Sequence, residues 1–228
     1  MDQSDSVNIL AIIPAYNEAE KIGRVISSTL TQLPVLVIDD GSSDETARIA
    51  ESSGAKVLHQ VPNQGKGAAL RKGFEHAIEA GYQAGVTLDA DGQHDPEDIP
   101  TFVRAYQQSR ADLIIGERDF SQIPTIRRLA NTLGKWSFSW AVGQPIGDNQ
   151  SGYRMISRRM MEAVLGSHES GFEFEVEMIV VCIQKGYTLG WVPIRTIYSG
   201  EGSHIQPLKH TIEFTRMVLQ TRRKMKEF

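Results

Sequence analysis

The stretch "PVLVIDDGSSDETARIAESSG", Pro34 to Gly54, decides the fold. Val35 to Ile38 form an unbroken run of branched and apolar residues, the composition of a strand buried on both faces. The run breaks at Asp39-Asp40-Gly41. A helix is expected to begin near Ser43 or Asp44, with Ile49 on it and Gly54 at its end. One buried strand followed at once by one short helix is the repeating unit of a parallel α/β sheet.

The same unit recurs on both sides. Upstream, "VNILAIIP" (Val7 to Pro14) reads as a buried strand, and "AYNEAEKIGRVISSTL" as a helix with Ile22, Val25, Ile26 and Leu30 at helical spacing. Downstream come the strand "AKVLHQ", a helix in "NQGKGAALRKGFEHAIEAG", the strand "AGVTLDADG", a helix from about Pro96 to Gln107, and the strand "ADLIIGER". Strands alternating with helices at this spacing predict a Rossmann-like, mostly parallel central sheet flanked by helices, from Val7 to about Glu117. Beyond Arg118 the alternation weakens. "PTIRRLANTLGKWSFSWAVG" is expected as a helix, "DNQSGYRMIS" as an exposed loop leading into a strand, and "FEFEVEMIVVCIQKG" as a helix. "YTLGWVPIRTIY" is expected as a strand in which Pro193 marks an edge or bulge. No linker or repeat divides the chain, so a single α/β domain is expected.

Composition narrows the function. The chain has 228 residues, 40% hydrophobic and 23% charged, with a net charge of -4. That mild charge does not imply nucleic acid as the main partner, so any attraction to anions is expected to be local. The single cysteine, Cys182, lies in "MIVVCIQ" and is expected as a buried, inert thiol. The start "MDQSDSVNIL" has acids where a signal peptide needs bases, and no apolar run reaches the ~20 residues that cross a bilayer. A cytoplasmic location follows as the expectation.

Ligands of such sheets bind beyond the carboxyl ends of the strands. Those ends carry Pro14-Ala15-Tyr16-Asn17-Glu18, Asp39-Asp40-Gly41, Asp89-Ala90-Asp91 and Gly116-Glu117-Arg118. The acidic stretch "VTLDADGQHDPEDIP" (Val86 to Pro100) divides in two. Asp95, Pro96, Glu97 and Asp98 are helix-start chemistry, with Asp95 as N-cap and Asp98 in a capping-box position. Asp89 and Asp91, two carboxylates two residues apart at a strand end, suit a shared hard cation, Mg²⁺ or Mn²⁺. Asp39 and Asp40 exceed what a turn and cap require, and an acid at this edge hydrogen-bonds a ribose or base in folds of this type. "NQGKGAALRKG" lacks the spacing of a phosphate loop, but its glycines at a helix start suit either an anion or a plain helix start. Lys66 is its residue of interest.

Taken together, "IPAYNEAEKI", "VLVIDDGSSDET", "NQGKGAALRKGFEHA", "VTLDADGQHDPEDIP" and "NQSGYRMIS" resemble a family 2 glycosyltransferase of the GT-A fold. The resemblance spans about Ile9 to Ser203 and points to the branch of dolichol-phosphate mannose synthase and bacterial polyprenyl-phosphate glycosyltransferases. It implies an inverting, metal-dependent transferase that moves a sugar from a UDP- or GDP-sugar to a polyprenyl phosphate. By that resemblance Pro14, Tyr16, Glu18, Asp39, Asp40, Lys66, Asp89, Ala90 and Asp91 bind the nucleotide sugar, and Asp89, Asp91 and Gln93 hold the metal. Asp89 and Asp91, with Arg118 and Arg154, are the implied catalytic residues. Arg118, Arg128, Arg154 and Ser203 are the implied ligands of the acceptor phosphate, because arginine offers phosphate a two-pronged donor. Arg127 is read as a solvated neighbour and His94 as a local packing residue. Ser203 and His204 form a stretch able to close over the donor. The family's basic position before that stretch is held here by Ile197-Tyr198, with Arg195 as a substitute.

A hydroxyl acceptor would need a carboxylate to take its proton, with Asp148, Glu173 or Glu175 as candidates. That soluble-acceptor reading keeps the same fold and donor. A sugar-nucleotide pyrophosphorylase is a remoter alternative, and it would open with a glycine-rich loop where this chain has "PAYNEAEK". The catalytic domain is expected to span 1–205. The tail at 206–228 is expected as a basic amphipathic helix that either docks on its own domain or gives peripheral contact with the cytoplasmic membrane face.

Overall fold

The computed structural model describes residues 7–118, 125–166, 173–195, 197 and 207–226, without the side chains of 125–131, 173 and 207–213. The strands are β1 (Ile9–Ala15), β2 (Val35–Asp39), β3 (Lys56–His59), β4 (Ala84–Thr87), β5 (Leu113–Arg118), β6 (Arg154–Ser157) and β7 (Leu189–Ile194). They form one sheet in the order β3-β2-β1-β4-β6-β5-β7. The helices are α1 (Ile22–Thr29), α2 (Thr46–Ser52), α3 (Lys66–Glu79), α4 (Ile99–Ser109), α5 (Thr125–Val142), α6 (Arg158–Val164), α7 (Glu173–Gln184) and α8 (Pro207–Lys226).

Strand alternation divides the core between the two faces of the sheet. Ile9, Ala11 and Ile13 of β1 join Val35 and Val37 of β2 in a cluster with Ile22, Val25 and Ile26 of α1 and Phe102 of α4. Leu10 and Ile12 join Leu36 and Ile38 in a second cluster with Leu70 and Phe74 of α3, Met160 and Met161 of α6, and Phe174 of α7. Every residue of β1 and β2 is buried. Burying each such branched side chain contributes roughly 2 kcal/mol, which is why these runs carry no polar alternation.

The parallel part matches the alternation expected from sequence: β2, β1 and β4 pair in parallel, as do β2 and β3, and β5 and β7. The second half departs from it. β6 lies antiparallel between β4 and β5, so the sheet is mostly and not wholly parallel. The loop before it is buried, contrary to the expectation of an exposed loop: Asp148, Asn149, Ser151, Gly152 and Tyr153 are all buried and only Gln150 is exposed. Once β6 is inserted at the middle of the sheet, the segment leading into it must run across the strand ends. The helix α6 was not expected. Pro193 does sit on an edge strand, as its missing N–H requires, and Leu30, just past the end of α1, is exposed.

Asp112 fixes the second half to the first. Its carboxylate accepts from Ser157 Oγ (3.0 Å), Arg159 Nε (2.8 Å) and the Thr188 N–H (2.9 Å), joining the starts of β5 and β7 to the end of β6. Hydrogen bonding from Arg159, Thr188 and Ser157 outweighs burial and lowers its pKa. Cys182 is buried, and burial pushes its thiol up to about 12, as expected of an inert cysteine.

Candidate active site

The carboxyl ends of β1, β2, β4 and β5 come together at one edge, and each carries the residues anticipated there. At the β1 end, Asn17 adopts a positive φ of 54°. Its side chain accepts from the Ser43 N–H (2.8 Å), while the Glu18 N–H donates to Thr46 Oγ1 (2.8 Å). Asp44 Oδ1 accepts from the Thr46 N–H (3.0 Å), the two-residue turn expected of an acid before a helix. Tyr16 is left 50% exposed above this turn, as an aromatic ring available to stack on a base.

The two acids at the β2 end separate by role. Asp40 is 3% exposed and its oxygens accept from Gln60 Nε2 (2.7 Å), the Gln64 N–H (2.9 Å) and the Gly65 N–H (2.8 Å). It holds the loop that starts α3. Asp39 keeps only longer contacts, 3.3 Å from the Ser42 N–H and 3.4 Å to His59 Nδ1. Gly41 makes the turn with φ +76°, and a Cβ there would lie 3.1 Å from the Asn63 nitrogen, so the turn requires glycine.

The β4 end carries the metal candidates. The Asp89 N–H donates to His94 Nδ1 (3.0 Å), which requires an unprotonated nitrogen there. Burial lowers the His94 pKa, although Asp89 opposes it, so the imidazole stays neutral. His94 stacks on Tyr153 at 4.9 Å, the packing role expected for it. Asp91 Oδ1 accepts from the Gln93 N–H (2.9 Å). Among the described residues, no three His, Cys, Asp or Glu side chains converge on one point. A cation here would rest on Asp89, Asp91 and Gln93 and draw further oxygens from water and diphosphate, the manner in which Mg²⁺ and Mn²⁺ are held. The residues fit such an ion.

Lys66, at the first turn of α3, reaches back to this edge. Its Nζ lies 2.6 Å from Asp89 Oδ1 and 2.8 Å from Glu175 Oε1. Burial opposes the ammonium charge, but Asp89 and Glu175 outweigh it and raise the Lys66 pKa. Burial likewise opposes the Asp89 charge, and Lys66 and His94 outweigh it and lower that pKa. The buried loop forms one wall: Thr87 Oγ1 donates to the Gly152 carbonyl (2.7 Å), and a Cβ on Gly152 would stand 2.9 Å from Lys66 Nζ and 3.0 Å from Asp89 Oδ2. A side chain at Gly152 would press on both groups.

The arginines fall into different places. Arg118, at the β5 end, grips Asp148 with Nε (2.6 Å) and Nη2 (3.0 Å). Arg154 is 0% exposed, and its guanidinium donates to the carbonyls of Ser151 (2.7 Å), Glu175 (2.5 Å) and Asn149 (3.2 Å). Burial lowers its pKa to about 10, so it remains charged beneath the loop. Through these carbonyls it braces the site loop against α7. Arg195 is taken by Asp98 (3.0 Å) and Glu97 (3.2 Å), so Asp98 anchors the end of β7 and does not close a capping box. The side chains of Arg127, Arg128 and Glu173, together with Ser203 and His204, lie outside the described residues.

Sequence reasoning gave Glu175 only a conditional role as a base and gave Asn149 and Ser151 none. Glu175 Oε2, Asn149 Nδ2 and Ser151 Oγ are buried without a hydrogen-bond partner, grouped around Arg154 and Lys66. No local sequence signal marks such a cluster, because it exists only once α7 and the loop before β6 meet.

A mostly parallel sheet with one antiparallel strand and an acid-lined carboxyl edge is a GT-A-type architecture. The model of the glycosyl transferase family 2 matches residues 10–165, and the chain belongs to that family. It is an enzyme of glycosyl transfer. An undecaprenyl-phosphate mannosyltransferase of Micrococcus luteus is 34% identical over 203 residues, covering 82% of this chain and 83% of that protein. A polyprenol monophosphomannose synthase of Mycolicibacterium smegmatis is 32% identical over 205 residues, covering 81% and 76%. Among solved structures, glucosyl-3-phosphoglycerate synthase of Mycobacterium tuberculosis, in complex with Mn²⁺, UDP and phosphoglyceric acid, superposes with a TM-score of 0.71. It is 20% identical and covers 95% of this chain and 77% of that one, a likeness that bears on the fold.

Proposed function

We propose that this protein transfers a sugar, with inversion, from a UDP- or GDP-sugar to a polyprenyl phosphate at a membrane surface, with Mg²⁺ or Mn²⁺ as cofactor. The observation that carries the acceptor class is the pairing of the carboxylates. A hydroxyl acceptor needs a base, and the two candidate bases whose side chains are described, Asp148 and Glu175, are each already bound to a cation, Arg118 and Lys66. A phosphate acceptor is ionised near neutral pH and needs none. The two relatives at 34% and 32% identity are named for lipid-phosphate acceptors, which supports the same reading.

In this reading Tyr16 and Asp39 bind the nucleoside. A divalent ion held by Asp89, Asp91 and Gln93 would neutralise charge on the leaving diphosphate. Lys66 and the N–H groups at the start of α3 face the same diphosphate. An acceptor phosphate oxygen attacks the anomeric carbon from the side opposite the diphosphate. The new C–O bond forms as the old one breaks, and the electron pair leaves on the nucleoside diphosphate. Arg118, oriented by Asp148, stands on the acceptor side.

The surface beside the β5 end suits a lipid interface. Leu133, Trp136 and Trp140 are exposed at 59%, 76% and 57% along one stripe of α5. Lys135, next in that helix, pairs with Glu117 (2.9 Å), adjacent to Arg118. On α8, Val218 and Thr221 are buried against the domain while Arg216, Leu219, Arg223 and Lys226 are exposed at helical spacing. Arg222 lies 5.0 Å over the Trp140 ring, joining the two stripes. Tryptophan and basic side chains together favour an anionic bilayer surface. Among the described residues no helix is long and apolar enough to cross a membrane.

Two experiments test this reading. A panel of UDP- and GDP-sugars offered with a polyprenyl phosphate, with and without chelator, should give metal-dependent transfer to the lipid. Transfer to soluble hydroxyls alone would overturn the acceptor. Replacing Trp136 and Trp140 together with Ala should reduce pelleting with anionic vesicles by about tenfold or more, at roughly 1–2 kcal/mol of buried apolar surface per ring. Equal pelleting of both proteins would remove this face from the membrane contact.

A further inference from the structure

We propose that Lys66 is the resident counter-ion of Asp89 before the donor binds, and that the arriving diphosphate draws it away, so that divalent cation and nucleotide bind cooperatively through Lys66. This rests on the metal and donor reading above and goes beyond it by assigning the coupling to one side chain.

The geometry is that of a bridge. One ammonium nitrogen sits 2.6 Å from Asp89 Oδ1 and 2.8 Å from Glu175 Oε1, and Gly152 closes over both it and Asp89. The Lys66 and Asp89 side chains are 28% and 29% exposed, so both ends of this contact are in reach of solvent and of a ligand. Glu175 is 4% exposed, and its second oxygen has no hydrogen-bond partner. Glu175 is therefore a fixed anchor within the core, and Asp89 is the end of the bridge that can be released.

A divalent cation on Asp89 must share a carboxylate whose Oδ1 already carries an ammonium, and the two positive charges repel. Binding of the cation alone is accordingly weak. A nucleoside diphosphate brings at least two negative charges to the same edge, at the start of a 14-residue helix whose free N–H groups favour an anion. The long lysine stem lets Nζ turn from Asp89 to a phosphate oxygen while it stays near Glu175. Asp89 is then free for the cation. By thermodynamic reciprocity, the cation strengthens nucleotide binding by the same factor as the nucleotide strengthens cation binding.

The test uses Lys66→Met in the full chain. Because that change leaves Glu175 buried without its cation, the double variant Lys66→Met/Glu175→Gln is measured beside it, with thermal melts to confirm folding. Mn²⁺ alone is titrated by electron paramagnetic resonance, and labelled UDP and GDP are measured by equilibrium dialysis with Mn²⁺ or with chelator. Both variants should bind Mn²⁺ alone about tenfold more tightly than the wild type, and the gain in nucleotide affinity that Mn²⁺ gives should shrink by a similar factor. Variants that bind Mn²⁺ alone no more tightly than the wild type overturn the proposal. If Asp91→Asn still abolishes Mn²⁺ binding in that case, the metal site stands without the coupling. If no protein binds Mn²⁺ with or without nucleotide, both readings fall.

Discussion

Asp91→Asn is expected to lower sugar transfer on the order of 10³-fold while leaving the protein folded. In the proposed reaction the effect is large because the change would remove one of two anionic ligands from the cation that balances the leaving diphosphate, and charge stabilisation of this kind is worth about 10²–10³ in rate per group. The fold survives for a local reason. Asp91 Oδ1 accepts from the Gln93 N–H at 2.9 Å, and an asparagine carbonyl oxygen can accept the same bond. The Asp91 side chain is also only partly buried, so no core contact is lost. Initial rates at saturating donor, beside a thermal melt, check both halves. Wild-type activity in the variant would remove Asp91 from the metal site.

Arg154→Met is expected to act on stability. Three carbonyls, from Ser151, Glu175 and Asn149, lose their donor at once, and the side chain is completely buried, so water does not replace it. The charge also offsets the nearby carboxylates of Glu175, Asp148 and Asp89. Removing one partner from a buried charged network costs about 3–5 kcal/mol. In a chain of this length that corresponds to a fall in Tm of about 10 °C, measurable by calorimetry. Arg154→Lys keeps the charge but cannot serve three diverging carbonyls, and it should recover only part of the loss. A variant that melts like the wild type and shows only a raised KM for the acceptor would return Arg154 to the phosphate.

These two residues show how differently parts of the site can be read from sequence. Asp91 stands in a local pattern: a buried strand ends, an acid-x-acid triplet follows, and the helix start "DPEDIP" comes directly after. Every part of that pattern is set by neighbours in the chain. Asp95 does cap its helix, accepting from the Glu97 N–H at 3.0 Å. Arg154 has no such pattern. Its position after "SG" suggested a surface loop, and that inference failed because Arg154 and the three residues after it enter the sheet between β4 and β5. Asp40 follows the same logic. Beside Asp39 it looked like half of a ligand pair, whereas its partners come from Gln60, Gln64 and Gly65, beyond the next strand and out of local reach.

The amino-acid sequence by itself determined the strand–helix alternation, the edge at which ligands meet the sheet, and the carboxylates at that edge. Hydrophobic period, helix caps and strand-end residues are local properties, and they act within a few positions of the chain. Only the tertiary structure decided which polar groups are spent on the protein and which remain for a ligand. Asp40 and Arg154 are consumed by the backbone, Arg118 is oriented by Asp148, and Lys66 is suspended between Asp89 and Glu175. The reason is physical: a buried charge takes its partners from whatever the fold brings within about 3 Å, and most of those partners here, Gln60 for Asp40, Asp148 for Arg118, Asp89 and Glu175 for Lys66, lie twenty or more residues away in the chain.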